Sequence, residues 1–200
     1  MIGLINLGNS NLQSVINALD YLKIDYFVTN NYQDLKKCNK FILPGVGSFA
    51  SGISRLKELN MFDSLKSEVL IENKPIFGIC LGMQMFFNSS EESSGFEGLG
   101  LVGGKVVRLP INDHYKIPRI GWADSQLCSN FLGLEKHRHF DFYYVHSFHA
   151  QPDDPSIVMI DSDFGIVSAI KYKNIYGCQF HPEKSHKDGL KILEEFSKIK

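Results

Sequence analysis

Residues 74–84 read KPIFGICLGMQ. Residues 75–79 are short and apolar and begin with a proline, which is typical of a buried parallel strand. Residues 81–87 contain good helix formers and predict a helix. Cys80 lies between the two, with one glycine two residues before it and another two residues after it. This Gly-x-Cys-x-Gly pattern matches the elbow on which some hydrolases expose a nucleophile, with cysteine in place of serine.

The two glycines and the helix start suit a reactive side chain at this position. Glycine lets the strand and helix backbones approach each other without Cβ clashes. A cysteine at the start of a helix lies near free backbone N–H groups, and the helix dipole favours its thiolate. The pattern therefore predicts that Cys80 is a nucleophile, although a buried core cysteine beside two incidental glycines would have the same spacing.

A second chemical motif lies near the end of the chain, where residues 177–185 read GCQFHPEKS. His181 is a candidate base for a thiolate, and Glu183 is a candidate to orient its imidazole. Pro182 keeps the step between them stiff and extended. His-Pro-Glu alone also fits a capped loop before the last helix. Together with the elbow, it predicts a catalytic triad of Cys80, His181 and Glu183.

Strands and helices are predicted to alternate in the first half of the chain. Strands are predicted over residues 1–7, 24–29, 40–43 and 75–79, and helices over residues 12–22, 32–37, 49–57, 60–72 and 188–199. Ser10 or Asn11 is expected to cap the first helix. This alternation predicts an α/β fold with an open, mostly parallel sheet and helices on both faces. Residues 102–176 instead predict short strands and turns, which adds a strand-rich C-terminal half.

A glycine-rich segment, PGVG at residues 44–47, ends the third predicted strand. Such a loop can expose backbone N–H groups to an anion. Active sites of open α/β sheets lie at the carboxyl ends of the strands, so this loop and Cys80 are expected to meet. The same residues also fit a simple turn into the next helix. A phosphate-binding loop is disfavoured because no Gly-Lys-Ser/Thr follows.

Length and composition limit the class of protein. Two hundred residues fit one domain, residues 1–200, with enough chain to bury a sizeable core. The net charge of −1 gives no electrostatic case for nucleic acid or an acidic membrane surface as a partner. We also see no apolar segment long enough to span a bilayer and no secretory signal.

Cysteine usage bears on metal binding and on the cellular compartment. The four cysteines are widely spaced, with no Cys-x-x-Cys pair, which argues against a zinc site and a disulfide framework. Histidine–carboxylate clusters such as His-Glu-x-x-His are also absent from the sequence, so we expect neither a metal nor a cofactor. An active thiol needs a reducing compartment, for which the cytoplasm is the natural setting.

The two chemical motifs together resemble the signature pair of class I (triad) glutamine amidotransferases. Within that family the chain resembles the glutaminase subunit of imidazole glycerol phosphate synthase, an enzyme of histidine biosynthesis. Further matching segments follow in the family order at residues 8–12, 44–49, 120–122 and 143–148. The resemblance implies a flavodoxin-like core and hydrolysis of L-glutamine to glutamate and ammonia. It also implies a heterodimer with a synthase (cyclase-type) subunit that receives the ammonia.

The resemblance also implies roles for residues outside the triad. By motif, the oxyanion hole would be formed by Val46, Gly47 and Leu81, the glutamine site by Gly47, Gln84, His146 and Ser147, and the partner interface by Trp122 and Arg119. The serine-, glutamate- and glycine-rich residues 89–100 read as a surface loop. We expect this loop to be solvated rather than to shape the pocket rim.

One motif departs from the family pattern, in which a histidine follows the proline and an asparagine follows the tryptophan of the partner-facing segment. This chain has Arg119 and Ala123 there. The departure leaves open a paralogous glutaminase that feeds an amidotransferase of sugar-nucleotide and surface-polysaccharide biosynthesis. Two further alternatives are a catalytically inactive binding module, against which the intact triad argues, and a partner-free hydrolase of γ-glutamyl bonds.

Overall fold

The computed structural model describes residues 1–8, 11–111, 116–162 and 165–200. Its strands are β1 (Ile2–Ile5), β2 (Tyr26–Thr29), β3 (Lys40–Gly45), β4 (Ile76–Cys80), β5 (Ser89–Ser90), β6 (Gly104–Arg108), β7 (Arg119–Leu127), β8 (His139–His146), β9 (Phe148–Pro152), β10 (Val158–Ser162), β11 (Ile166–Tyr172) and β12 (Ile175–Cys178). Its α-helices are α1 (Leu12–Tyr21), α2 (Phe49–Glu58), α3 (Met61–Leu70), α4 (Leu81–Gln84) and α5 (His186–Lys198). Short 3₁₀ helices occupy Tyr32–Lys37, Pro155–Ile157 and Pro182–Lys184.

Within the described ranges, all twelve strands belong to one sheet. Its main path runs β2-β1-β3-β4-β12-β11-β10-β7-β8, while β9 pairs with β11 and leads to β6 and β5. The first five strands of the path are parallel. From β12 onward the path is antiparallel. The predicted fold class is confirmed: a parallel α/β half is continued by a strand-rich C-terminal half.

The parallel half is covered on both faces, as its continuous apolar strands require. Along β4, Ile76 joins a core cluster that includes residues of α2 and α3. Phe77 and Ile79 point the opposite way, into a cluster that includes residues of α1 and α5. Alternate side chains of β4 therefore pack into two separate cores. This packing fixes the position of β4 in the sheet and so the position of Cys80, its last residue.

Several local expectations differ from the structure. The helix predicted over residues 81–87 ends at Gln84 because the carbonyls of Met85 and Phe86 accept the N–H groups of Leu99 and Leu101, a loop that folds back on them. Residues 32–37 form a 3₁₀ helix rather than an α-helix. Asn11 occupies the N-cap position of α1, but its side chain accepts from the Ser14 hydroxyl instead of capping the backbone. Ser10, the other predicted cap, lies outside the described residues.

No helix in the described part of the chain has both the length and the apolar composition that crossing a bilayer requires.

Candidate active site

The elbow is formed by Cys80, the last residue of β4. Its backbone has φ 55° and ψ −113°, a conformation that side-chain-bearing residues rarely adopt and that is typical of functional positions. The flanking glycines permit it: a Cβ on Gly82 would overlap the Leu43 carbonyl oxygen, and one on Gly78 would lie 2.6 Å from the Met83 nitrogen. The strand and helix backbones therefore pack in contact on both sides of the nucleophile.

The histidine motif reaches Cys80 because β12 pairs in parallel with β4, with Cys178 opposite Ile79. His181 follows three residues later. Its Nδ1 lies 2.9 Å from Glu183 Oε1, and its ring lines the same cavity as Cys80, close enough for Cys80 to raise the pKa of the imidazole. The His181 and Glu183 side chains are almost fully buried. The structure therefore brings together the three side chains of the predicted triad, although Cys80 and His181 lie 101 residues apart in the sequence.

The electrostatics of the triad favour the protonated form of His181. Burial alone would lower the pKa of the His181 imidazole, but its hydrogen bonds to Cys80 and Glu183 outweigh this effect and raise the pKa to about 10. At neutral pH the ring is therefore protonated beside the sulfur. An imidazolium next to a cysteine stabilises the thiolate, which is the nucleophilic form.

A cavity of ≈ 250 Å³ opens over the sulfur of Cys80. It is lined by Val46, Gly47, Cys80, Leu81, Glu92, Pro118, Val145, His146, Ser147, Phe148 and His181. All three residues predicted for the oxyanion hole lie in this lining. Of the residues predicted to bind glutamine, Gly47, His146 and Ser147 line the cavity, whereas Gln84 does not.

The glycine-rich loop reaches the cavity by strand pairing. Gly45 at the end of β3 lies opposite Cys80 at the end of β4. The loop then turns at Gly47, whose φ of 97° is accessible mainly to glycine. The loop and the elbow therefore meet at the carboxyl ends of adjacent parallel strands, as the sequence predicts.

Glu92 was not among the predicted site residues, and the expectation that residues 89–100 are only a solvated loop is wrong. The Glu92 carboxylate accepts the Phe49 backbone N–H at 2.7 Å, and the Ser93 hydroxyl accepts that of Ala50. These two hydrogen bonds hold the loop against the first turn of α2, and Glu92 lines the cavity. The local sequence gave no signal, because both partners lie 43 residues away.

Comparison with known proteins identifies the family. The model of the class-I glutamine amidotransferase family matches residues 3–199. The chain belongs to this family. It is 40% identical to imidazole glycerol phosphate synthase subunit HisH 2 of Methanococcus maripaludis over 99% of both chains. It is 37% identical to subunit HisH of Bacillus subtilis, over 100% of this chain and 96% of the relative.

Solved structures agree on the fold of this amidotransferase. A crystal structure of a glutamine amidotransferase superposes with a TM-score of 0.79 at 17% identity, covering 99% of each chain. PurLQS from Thermotoga maritima gives a TM-score of 0.77 at 19% identity, covering 98% of this chain and 96% of that one. The predicted recognition and enzyme class, a glutamine amidotransferase, are confirmed.

His146 is a neutral hydrogen-bonding group in the cavity wall of the amidotransferase. Burial, aided by the charge of Arg119, lowers the pKa of His146 to about 4. Its Nδ1 lies 2.9 Å from the Phe148 carbonyl oxygen and must donate to it, since a carbonyl can only accept. Nε2 then carries the lone pair, is buried, and has no hydrogen-bond partner within the described residues.

The residues predicted for the partner interface lie on opposite faces of β7. Trp122 is 47% exposed and stacks on His186 with ring centroids 4.5 Å apart. Arg119 is buried, with its guanidinium 4.9 Å from the centre of the Tyr144 ring. Strand side chains alternate, and positions three apart point in opposite directions.

Two exposed residues beside Trp122 were not predicted. Ile120 is 63% exposed, and Val145, its cross-strand partner on β8, is 38% exposed. Trp122 pairs in the same way with Tyr143. These four side chains, the hairpin patch, form an apolar surface beside the cavity, which Val145 also lines.

Proposed function

We propose that this chain is the glutaminase subunit of an imidazole glycerol phosphate synthase. It hydrolyses L-glutamine to glutamate and ammonia and passes the ammonia to a synthase subunit, with which it forms a heterodimer. The observation that carries the proposal is that Cys80 and His181 line one small cavity, with the imidazole of His181 held by the Glu183 carboxylate at 2.9 Å. Full-length similarity to subunits of that name supports the pathway.

In the proposed mechanism, the Cys80 thiolate attacks the side-chain amide carbon of glutamine. The oxyanion that forms is held by backbone N–H groups near Val46, Gly47 and Leu81, a class of donor worth ~10²–10³ in rate. His181 gives its proton to the departing nitrogen, the C–N bond breaks, and ammonia leaves a thioester. Water then attacks the thioester and loses a proton to His181, which releases glutamate. Glu183 orients the imidazole and stabilises its cationic form.

The cavity also offers groups suited to the amino-acid end of glutamine. The Glu92 carboxylate has the charge to bind an α-ammonium group. His146 Nε2, a buried acceptor without a partner in the described structure, can accept a hydrogen bond from the substrate. Gly47 and Ser147 complete the proposed contacts. The volume of ≈ 250 Å³ is at the small end for ligand cavities, which suits a single amino acid.

The hairpin patch is the proposed docking surface for the synthase subunit. The strand that carries half of it also touches the triad: the His181 N–H donates to the Tyr143 carbonyl at 2.9 Å, and Cys80 Sγ lies 3.8 Å from the Val145 carbonyl oxygen. A partner bound to the outer face of β8 therefore acts on the strand that supports the chemistry. This arrangement supports activation of the glutaminase by its partner, with the glycine loop at Gly47 as the switch.

Residues 1–200 are proposed to act as one glutaminase domain in the cytoplasm, where the Cys80 thiol stays reduced. We propose that L-glutamine and the synthase subunit are its partners, with no role for nucleic acid or a membrane. The competing assignment, amination of a sugar nucleotide, draws on the departures at Arg119 and Ala123. The relatives described above give that assignment no support.

The decisive experiment is glutamine hydrolysis by the purified chain, alone and with an imidazole glycerol phosphate synthase cyclase subunit. We expect low ammonia release alone, strong stimulation by the partner, and a loss of at least ~10⁴-fold in Cys80→Ala. Cys80→Ala should retain ammonia-driven synthase activity, since only the glutamine step is removed. Unchanged ammonia release in Cys80→Ala would overturn the triad. Stimulation only by a sugar-nucleotide amidotransferase would overturn the pathway.

A further inference from the structure

A buried amide that is not part of the triad contacts the sulfur of Cys80. Gln179 has no solvent exposure, and its Nε2 lies 3.5 Å from Cys80 Sγ. Its backbone N–H donates to the Ser168 carbonyl at 2.8 Å, which fixes the residue directly after β12. The sequence motif containing Gln179 supplies two of the three triad residues, His181 and Glu183, yet the mechanism proposed above leaves the Gln179 side chain unused.

An N–H group aimed at the sulfur distinguishes the two protonation states of cysteine. A neutral thiol is a weak acceptor, whereas a thiolate gains a charge-assisted hydrogen bond. Donation therefore favours the anionic form. Unlike His181, a side-chain amide does not titrate near physiological pH. Gln179 can therefore donate to the thiolate in every protonation state of the triad.

A second amide fixes the orientation of the first. Gln84 Nε2 donates to Gln179 Oε1 at 2.9 Å, so the Gln179 amide must turn its nitrogen toward the sulfur. The same Gln84 nitrogen also donates to the Phe148 carbonyl at 2.9 Å. Both of its N–H groups are thus engaged behind the cavity wall, and neither is directed at substrate.

The chain of hydrogen bonds continues to the cavity. The Phe148 carbonyl that accepts from Gln84 also accepts from His146 Nδ1 at 2.9 Å. The opposite nitrogen of His146 is the buried acceptor without a partner in the described structure. A continuous path of His146, the Phe148 carbonyl, Gln84 and Gln179 therefore joins the cavity wall to Cys80.

We propose that Gln179 is a positioning residue that holds the Cys80 sulfur in its reactive anionic form, and that Gln84 supports this role by orienting the Gln179 amide. This inference rests on the proposed role of Cys80 as nucleophile. It adds an orienting role to the glutamine-binding role that motif similarity gives to Gln84.

The test is the pH dependence of Cys80 alkylation by iodoacetamide, without glutamine, in a Cys128→Ser background that removes the exposed cysteine. Gln179→Met keeps the length of the side chain and removes its donor. We expect the midpoint of the alkylation profile to rise by about one pH unit, since one charge-assisted hydrogen bond is lost. With partner present, kcat for glutamine should fall about tenfold while KM stays within about twofold.

A matched control is Ser168→Ala, which removes a hydroxyl that is also fully buried and that donates to the Ile166 carbonyl at 3.2 Å, away from the sulfur. Its alkylation profile should coincide with that of the parent chain. Circular dichroism and Tm establish that each variant is folded. If Gln179→Met alters the profile no more than Ser168→Ala does, the positioning role is wrong.

Gln84→Met provides an independent test of the positioning role, which also applies if Gln179→Met fails to fold. The orienting contact with Gln179 predicts a shifted alkylation profile in the absence of glutamine, whereas a substrate contact alone predicts a raised KM and an unshifted profile. Peptide mapping of the alkylated chain separates this inference from the proposed function. Labelling of Cys80 with an unshifted profile overturns only the role of Gln179 and Gln84. Failure to label Cys80 would overturn the nucleophile itself.

Discussion

The parallel and antiparallel halves of the sheet contribute to the site in different ways. In the parallel half, β4 and β12 are covered on both faces, and their pairing delivers Cys80 and His181 to adjacent strand ends. In the antiparallel half, β7 and β8 bury one face and expose the other. Chemistry thus depends on backbone packing that tolerates little change, while the proposed recognition surface is made of replaceable side chains.

The largest expected effect tests the backbone packing of the parallel half. In Gly82→Ala the new Cβ overlaps the Leu43 carbonyl oxygen, an overlap that only a shift of α4 or β3 can relieve. We expect a loss of about 3 kcal/mol or more in the free energy of unfolding, together with loss of glutaminase activity. Urea unfolding and ammonia release measure both.

The comparison glycine lies in the antiparallel half. Gly165 also has a positive φ of 70°, but a Cβ there meets no atom within 4 Å. Gly165→Ala should cost only about 1 kcal/mol, through backbone conformation alone. Equal losses in the free energy of unfolding of Gly82→Ala and Gly165→Ala would mean that the overlap at Gly82 does not contribute. That result would contradict the proposed difference in packing between the two halves of the sheet.

An intermediate effect concerns the pH dependence of stability in the antiparallel half. His146 has its pKa lowered to about 4 by burial, from 6.5 when exposed. Between these values the unfolded chain binds a proton that the folded chain does not, so stability falls as pH decreases through this window. The loss attributable to His146 should approach about 3 kcal/mol by about pH 4. Urea unfolding at about pH 7 and about pH 4 measures it, with His146→Gln as the control.

Other groups titrate in the same range, so the difference between the parent chain and His146→Gln is the informative quantity. If both chains lose the same stability on acidification, the imidazole is not held neutral by its surroundings. Such a result would also remove the reason for assigning the lone pair to Nε2.

The smallest expected effect tests the two faces of β7. Trp122→Ala should raise the Kd for the synthase subunit by ~10–100-fold, the range expected for an exposed aromatic anchor, with Tm nearly unchanged. Arg119→Met should have the opposite profile, because the buried guanidinium packs on the Tyr144 ring. We expect it to cost about 1 kcal/mol of stability and little affinity. Titration calorimetry and thermal unfolding distinguish the two profiles.

The elements that sequence patterns predicted are those whose causes are local. Glycine spacing identified the elbow at Cys80, and strand–helix alternation identified the parallel sheet that contains β4. The strand-rich half was evident from the loss of helical periodicity after residue 102. The burial of Arg119 could also have been predicted from the sequence, because side-chain alternation places Arg119 and Trp122 on opposite faces of the strand.

What the sequence did not indicate depends on contacts between distant segments. Glu92 enters the site through a hydrogen bond to the start of α2, and the charged run that contains it resembles any solvated loop. α4 ends early because a later loop takes its carbonyl groups. The contact of Gln179 with the sulfur requires β12 to lie beside β4, which no pattern near Gln179 encodes.

The alternation along β8 has a consequence for engineering. Tyr143 and Val145 face outward, while Tyr144 and His146 point into the protein, so recognition and chemistry occupy interleaved positions of one strand. Grafting the outward residues of a homologous hairpin should therefore redirect the enzyme to a foreign synthase without rewriting its catalytic interior. Orthogonal ammonia-channelling pairs could be built in this way from a single scaffold.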